Sequence, residues 1–163
     1  MSWTTSNIFQ ATITDALSLG TTTKMKLGSD GFKAALYGTS ITPDRNVTNT
    51  LSAYAAATSQ WITGNEIISG TGGWPAGGIA LTTVTINSAT ANTVFFTAAN
   101  TVSSTGGASL AAVFGCLIYD TTATTVTNQG VCYNYFGGSN SVTSGTFTIA
   151  YAANPSGIFN ITV

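Results

Sequence analysis

The chain has 163 residues, enough for one domain with a sizeable core. It carries four basic residues (Lys24, Lys26, Lys33, Arg45), five acidic ones (Asp15, Asp30, Asp44, Glu66, Asp120) and no histidine, for a net charge of -1. Charged residues make up 6% of the chain, against about 25% in an ordinary soluble domain. That leaves no basic patch for nucleic acid, while 44% hydrophobic residues exclude a disordered chain.

The opening MSWTTSNIFQ lacks the basic-then-apolar pattern of a secretory signal. No apolar run approaches the roughly 20 residues of a membrane-spanning helix. We therefore expect no membrane partner, and give no weight to the glycosylation patterns at Asn46 and Asn160. A surface with so few charges resists association poorly. It suits a chain that works inside an assembly, with a monomer covered in hydroxyls and amides as the alternative.

Asn7, with Gln10 three residues on, resembles a capping box, and Gly20 would end a helix over the residues between. The β-branched residues of that stretch weaken helix propensity. Residues 1–22 are thus expected to form a short helix or an arm that orders on a partner, and residues 23–163 a single β domain.

TKMKL (23–27) and FKAALYG (32–38) read as strands on either side of the turn GSDG. TPDRN (42–46) is a turn, and the alanines before Trp61 suggest a short helix. NEIISGTGGWPAGG, Asn65 to Gly78, holds five glycines around a lone tryptophan. IALTTVTIN and NTVFFTA follow as β-branched and aromatic strands. SLAAVFGCLIYD (109–120) is almost continuously apolar, as expected of a strand covered on both faces.

GVCYNYF alternates, with Val131, Tyr133 and Tyr135 on one face and Cys132, Asn134 and Phe136 on the other. GTFTIAYAA aligns Phe147, Ile149 and Tyr151. With the turn 154–157 and IFNITV it reads as a C-terminal hairpin. The pattern predicts seven or eight strands: a mainly β chain folded as an antiparallel sandwich or barrel-like domain. A solenoid would need a fixed repeat, and the sequence has none.

The residues argue against an enzyme. A Ser-His-Asp triad needs its base. A glycosidase needs two carboxylates across a cleft, but Asp30, Asp44 and Asp120 stand where turns favour Asp. Only Cys116 and Cys132 are candidate soft metal ligands. On neighbouring predicted strands they could stand opposite each other and form a disulfide, but nothing marks an oxidising compartment, so they read as reduced, buried thiols, and neither metal nor cofactor is expected. The glycine loop has no Lys or Arg to meet a phosphate, and Pro75 followed by glycines is a poor start for a dinucleotide-binding helix. Its glycines then serve positive φ or close backbone contact. Trp74 either fills the core or docks into a partner.

GFKAALYGTSITPD, NEIISGTGGWPAGG, AAVFGCLIYD, YNYFGG and GTFTIAYAANPSGIFNI, in that order, resemble small virion structural proteins of tailed bacteriophages over most of the chain after Lys24. The resemblance implies a non-enzymatic virion protein, assembled in the bacterial host cytoplasm. It would decorate the major capsid protein lattice as a homo-oligomer and stabilise the shell by mass action. A minor tail protein is the alternative within the particle. A carbohydrate-binding module at a tail tip is the alternative of another class, with rings stacking on sugars. Trp61, Trp74 and Tyr54 are the candidate interface residues in these readings.

Overall fold

The apolar run ending at Asp120 is the spine of the fold. A computed structural model describes residues 3–18, 25–70, 73–90, 92–104, 107–122, 126–153 and 156–162. In it the run lies within strand β7 (Ala108–Asp120), flanked by β2 (Phe32–Tyr37) and β8 (Gly130–Gly145). Two short strands extend this sheet: β1 (Asn7–Ile8) beside β8, and β3 (Ile79–Ala80) beside β2. A second sheet holds β4 (Thr85–Thr90), β5 (Thr93–Thr97) and β10 (Phe159–Thr162), with β5 central. A two-stranded ribbon pairs β6 (Thr101–Val102) with β9 (Thr148–Ile149). Strand makes up 40% and helix 11%, every strand pair is antiparallel, and the described residues form no closed barrel. The fold is mainly β and of the sandwich-like class, as expected.

The central sheet has a core on each face, which is why β2 and the second half of β7 read as apolar runs. Ala34, Ile118 and Cys132 align across β2, β7 and β8. They pack in one core with Phe32, Leu36, Trp74, Phe96 and Ile158. One residue along, Ala35, Leu117 and Tyr133 face the other way and meet Trp3, Phe9, Tyr37 and Trp61. The second sheet supplies Phe96 and Phe159 to the first core. The N-terminal segment and residues 41–61 cover the second. Helix α1 (Gln10–Leu17) and the single turn α2 (Asn49–Ser52) lie on that covering layer.

Several local expectations are corrected. The capping box does not form: Phe9 is the N-cap residue of α1, without a side-chain cap, and Asn7 lies in β1 with its amide donating to Thr5 Oγ1 at 2.8 Å. Gly20 lies outside the described residues, as do residues 23–24 of TKMKL. Met25 to Leu27 is not a strand, because Asp30 draws the chain into a turn: its carboxylate accepts from Lys26 N–H, while its own N–H donates to Lys26 O.

IALTTVTIN is broken between β3 and β4, where Thr83 takes φ +52. The C-terminal hairpin is absent, since β9 pairs with β6 and β10 with β5; residues 154–155 of its turn lie outside the described residues. Phe147, Ile149 and Tyr151 still pack together on the first core. A register shift after Ile118 turns Val131 into that core, away from Tyr133. Ten strands result among the described residues because four of them are only two residues long.

Candidate functional site

The glycine loop and the residues beneath it form the most elaborate side-chain cluster. Glu66 enters it from the end of a 3-10 turn (Thr63–Asn65) and bridges to Tyr37 of β2. Its Oε2 accepts from Tyr54 O–H at 2.9 Å and from Gly77 N–H at 3.0 Å. Its Oε1 is buried without a partner. Tyr119 O–H donates to Gly77 O at 2.7 Å, and Tyr37 O–H donates to Trp61 O at 2.9 Å.

Burial raises the Glu66 carboxyl above the usual carboxylate range, opposed by the bonds from Gly77 and Tyr54 and by the Lys33 charge. Burial also raises the phenols of Tyr37, Tyr54 and Tyr119, with the Glu66 charge adding to it. All three phenols therefore remain proton donors at neutral pH. The cluster ties the loop to β7 through Tyr119 O–H and to β2 through the backbone bridge of Glu66 with Tyr37, while Tyr54 O–H and Gly77 N–H converge on the Glu66 carboxylate.

Two of the loop's glycines, Gly73 and Gly78, answer to close contact. At Gly78, with φ +75, an added Cβ would stand 1.9 Å from Ala34 O of β2. At Gly73 it would stand 2.3 Å from Ser69 Oγ. Trp74 lies between them. Its indole N–H donates to Ala34 O at 3.1 Å, and its ring meets Phe147 edge-on at 5.7 Å. The loop closes the first core around an indole.

Trp61, Trp74 and Tyr54 therefore do not present an interface. Trp61 and Trp74 are 0% exposed and Tyr54 is 8% exposed. Trp61 is enclosed by Trp3, Phe9, Tyr37 and Tyr133, with ring centroids 5.1–6.0 Å away. Tyr54 stacks on Tyr119 at 4.6 Å. A ring enclosed in this way offers no face to a sugar or a protein, so both interface roles are corrected to core packing. Trp3 and Phe9 in the second core were not legible as core residues, because they stand in a polar N-terminal stretch without alternation.

The other acids and the thiols have structural surroundings. Asp44 accepts from Asn46 N–H at 2.9 Å in the expected turn, and Asp120 Oδ1 accepts from Thr122 N–H at 2.7 Å. Cys116 stands opposite Asn134 and Cys132 opposite Ile118, so the cysteines are offset diagonally instead of facing each other. Both are free and buried. Burial pushes the Cys116 thiol up to about 12 and the Cys132 thiol well above its ordinary value. No group of three or more His, Cys, Asp or Glu among the described residues could hold a metal ion.

What remains on the surface is polar and uncharged for the most part, with isolated apolar side chains. Ile68 is 50%, Ile86 45% and Val102 44% exposed. A shallow cleft of about 280 Å³ between β1 and β10 is lined by Ser6, Asn7, Asn134, Phe159 and Asn160. No described helix is long and apolar enough to cross a membrane. Comparison of the chain with family models, curated proteins and solved structures finds no match.

Proposed function

We propose that this chain is a structural protein of a tailed-phage particle, which binds the assembled major capsid protein as a homo-oligomer and reinforces the shell. The observation that carries the reading is the division between interior and surface. The aromatic rings and the Glu66 carboxylate hold the fold together. The exterior offers hydroxyls, amides and exposed Ile68, Ile86, Val102 and Ile161, with few charges. The order of motifs, which resembles that of small virion proteins, supports the same reading. Such a surface binds by shape, hydrogen bonds and apolar contact. Its effect on a particle is mass-action stabilisation multiplied over many copies.

The experiment is sedimentation of particles with this chain bound, across a salt series and then a urea series. Exposed ion pairs weaken as the Debye length contracts from roughly 10 Å at 0.1 M salt to 3 Å at 1 M. Urea weakens apolar contacts, which high salt does not. The chain should stay in the pellet in about 1 M NaCl and leave in moderate urea. Release by salt alone would assign attachment to Lys24, Lys26, Lys33 and Arg45 and overturn the apolar account. Electron microscopy of labelled particles distinguishes the capsid lattice from a tail position, and a tail position would replace decoration with the minor-tail reading.

A further inference from the structure

The two larger sheets leave a corner of the sandwich open where the first ends in β1 and the second in β10. The cleft of about 280 Å³ lies in this corner. Ile8, Ile158 and Phe159 give it apolar walls, and Ser6, Asn134 and Asn160 give it polar groups. Asn134 is the unexpected member. It pairs with Cys116 of β7 and so shares the face of the first core, where the neighbouring positions are apolar. Its amide is held from both ends: Nδ2 donates to Ile158 O at 3.0 Å, and Oδ1 accepts from the Cys132 thiol at 3.6 Å.

An amide has two N–H donors and a carbonyl with two lone pairs. The two bonds of Asn134 therefore leave one donor and one acceptor on a group whose orientation is already fixed. Ser6 Oγ accepts from Tyr135 N–H at 2.9 Å and keeps its own O–H to donate. Asn160, exposed on β10, adds an amide with no protein partner among the described residues. Phe159 is half-buried and is held in place by its stack on Phe96 at 5.2 Å. The cleft thus combines fixed, neutral donors and acceptors with a ring.

Those groups select the ligand. No charged side chain lines the cleft among the described residues, so a phosphate or carboxylate would lose its water with no cation to meet it. Arg45 lines a neighbouring hollow and is turned to Asn7 Oδ1 at 3.4 Å. A wholly apolar ligand would leave the remaining donor and acceptor of Asn134 unpaired. A hydroxyl both donates and accepts, and a sugar ring carries several of them around an apolar C–H face that suits an aromatic side chain. The volume lies just under the roughly 300–1,000 Å³ of most ligand pockets, which limits the ligand to one ring. We propose that the corner cleft between β1 and β10 binds a single neutral sugar ring, through Ser6, Asn134 and Asn160 and against Phe159. The site stands or falls apart from the particle reading.

The test is an NMR titration of the full chain, following backbone amide signals, with D-glucose, D-galactose, D-mannose and N-acetyl-D-glucosamine. Each is taken to about 50 mM, above the millimolar affinity expected of a single ring. With at least one sugar, the signals of Ile8, Asn134 and Asn160 should shift and saturate, while those of Gln10 and Asn46 in the neighbouring hollows stay in place. Asn134 ties β8 to the entry of β10, so the variants are made at the exposed positions, where the fold does not depend on them. Ser6→Ala and Asn160→Ala should each weaken binding about three- to tenfold, the worth of one neutral hydrogen bond. Glucose 6-phosphate should bind no more tightly than glucose. Shifts that stay linear with all four sugars, saturation centred on Gln10 and Asn46, or wild-type affinity in both variants would overturn the site. Tighter binding of the phosphate would assign the cleft to an anion and overturn it as well.

Discussion

Gly77 and Gly78 separate two reasons for glycine in one loop. Both have positive φ, +81 and +75, but their surroundings differ. A Cβ at Gly77 would meet Tyr119 Oη at 3.5 Å, an ordinary contact. At Gly78 it would meet Ala34 O at 1.9 Å and Ala34 C at 2.4 Å, backbone atoms of a paired central strand. Forcing an L-residue into the left-handed region costs about 1–2 kcal/mol, so Gly77→Ala should cost about that much. Gly78→Ala adds overpacking of about 1–3 kcal/mol, for a total of about 2–5 kcal/mol. Against a typical domain stability of about 5–15 kcal/mol, that is a large share. Gly64→Ala, where the nearest side-chain atom is 3.9 Å away and φ is not positive, should stay within about 0.5 kcal/mol. Urea denaturation at constant slope reads all three. Equal costs at Gly77 and Gly78 would mean that conformation alone selects glycine here, and the close-approach argument would fail.

Trp74→Ala should destabilise by the roughly 3–5 kcal/mol of a buried aromatic. Trp74→Phe should cost less, part of it the roughly 1 kcal/mol of the lost bond to Ala34 O. Since Trp3, Trp61 and Trp74 are at most 2% exposed, native fluorescence should resist acrylamide, and strong quenching would contradict the burial. Cys116 and Cys132 should resist alkylation in the native protein and take two labels once denatured without reductant; one or no label would reveal a bond. For pH, the sign follows from Asp120. Its folded-state value of about 7 lies above the ordinary 3.8, so the folded state holds a proton that the unfolded chain has lost. Stability should therefore fall as pH rises from about 4 to about 7 and then level off. The melting temperature of Asp120→Asn should be flatter across that window, and a parallel profile would place the titration elsewhere.

The sequence signals that held were those with one physical cause. From Val113 to Tyr119 the run is apolar because the strand there has a core on each face, while Ser109, Ala111 and Ala112 before it are exposed; β2 repeats that logic from Ala34 to Tyr37. The turn at Asp44 was legible because a short carboxylate satisfies a nearby backbone N–H. The signals that failed depended on tertiary choice. Phe147, Ile149 and Tyr151 alternate correctly, but nothing local states that β9 pairs with β6 instead of β10. Tyr54, Trp61 and Trp74 look alike as aromatic residues among small ones, whether they point into a core or toward a partner. Their burial depends on Trp3 and Phe9 arriving from the far end of the chain and on Ala34 O receiving an indole N–H. The Glu66 cluster was hidden for the same reason, since its partners lie 11 and 12 residues away in sequence.

The edges of the second sheet bear on the proposed role. β4 (TINSAT) and β10 (FNIT) are its terminal strands, and neither contains a charged residue or a proline. Proteins that circulate alone usually guard such edges with Lys, Pro or a covering element, because unpaired N–H and C=O groups template pairing with another chain. Here the guard would have to come from a charge supply that is nearly empty: Lys33 is at work beside Glu66, and Arg45 reaches Asn7 Oδ1 at 3.4 Å. The exposed Ile86 and Ile161 stand on these two strands, 45% and 37% accessible. In an isolated monomer this combination would be a liability. In a protein held among copies of its partners the same edges are contact surface. The scarcity of charge and these two uncharged terminal strands are thus the features that the proposed assembly role would put to use.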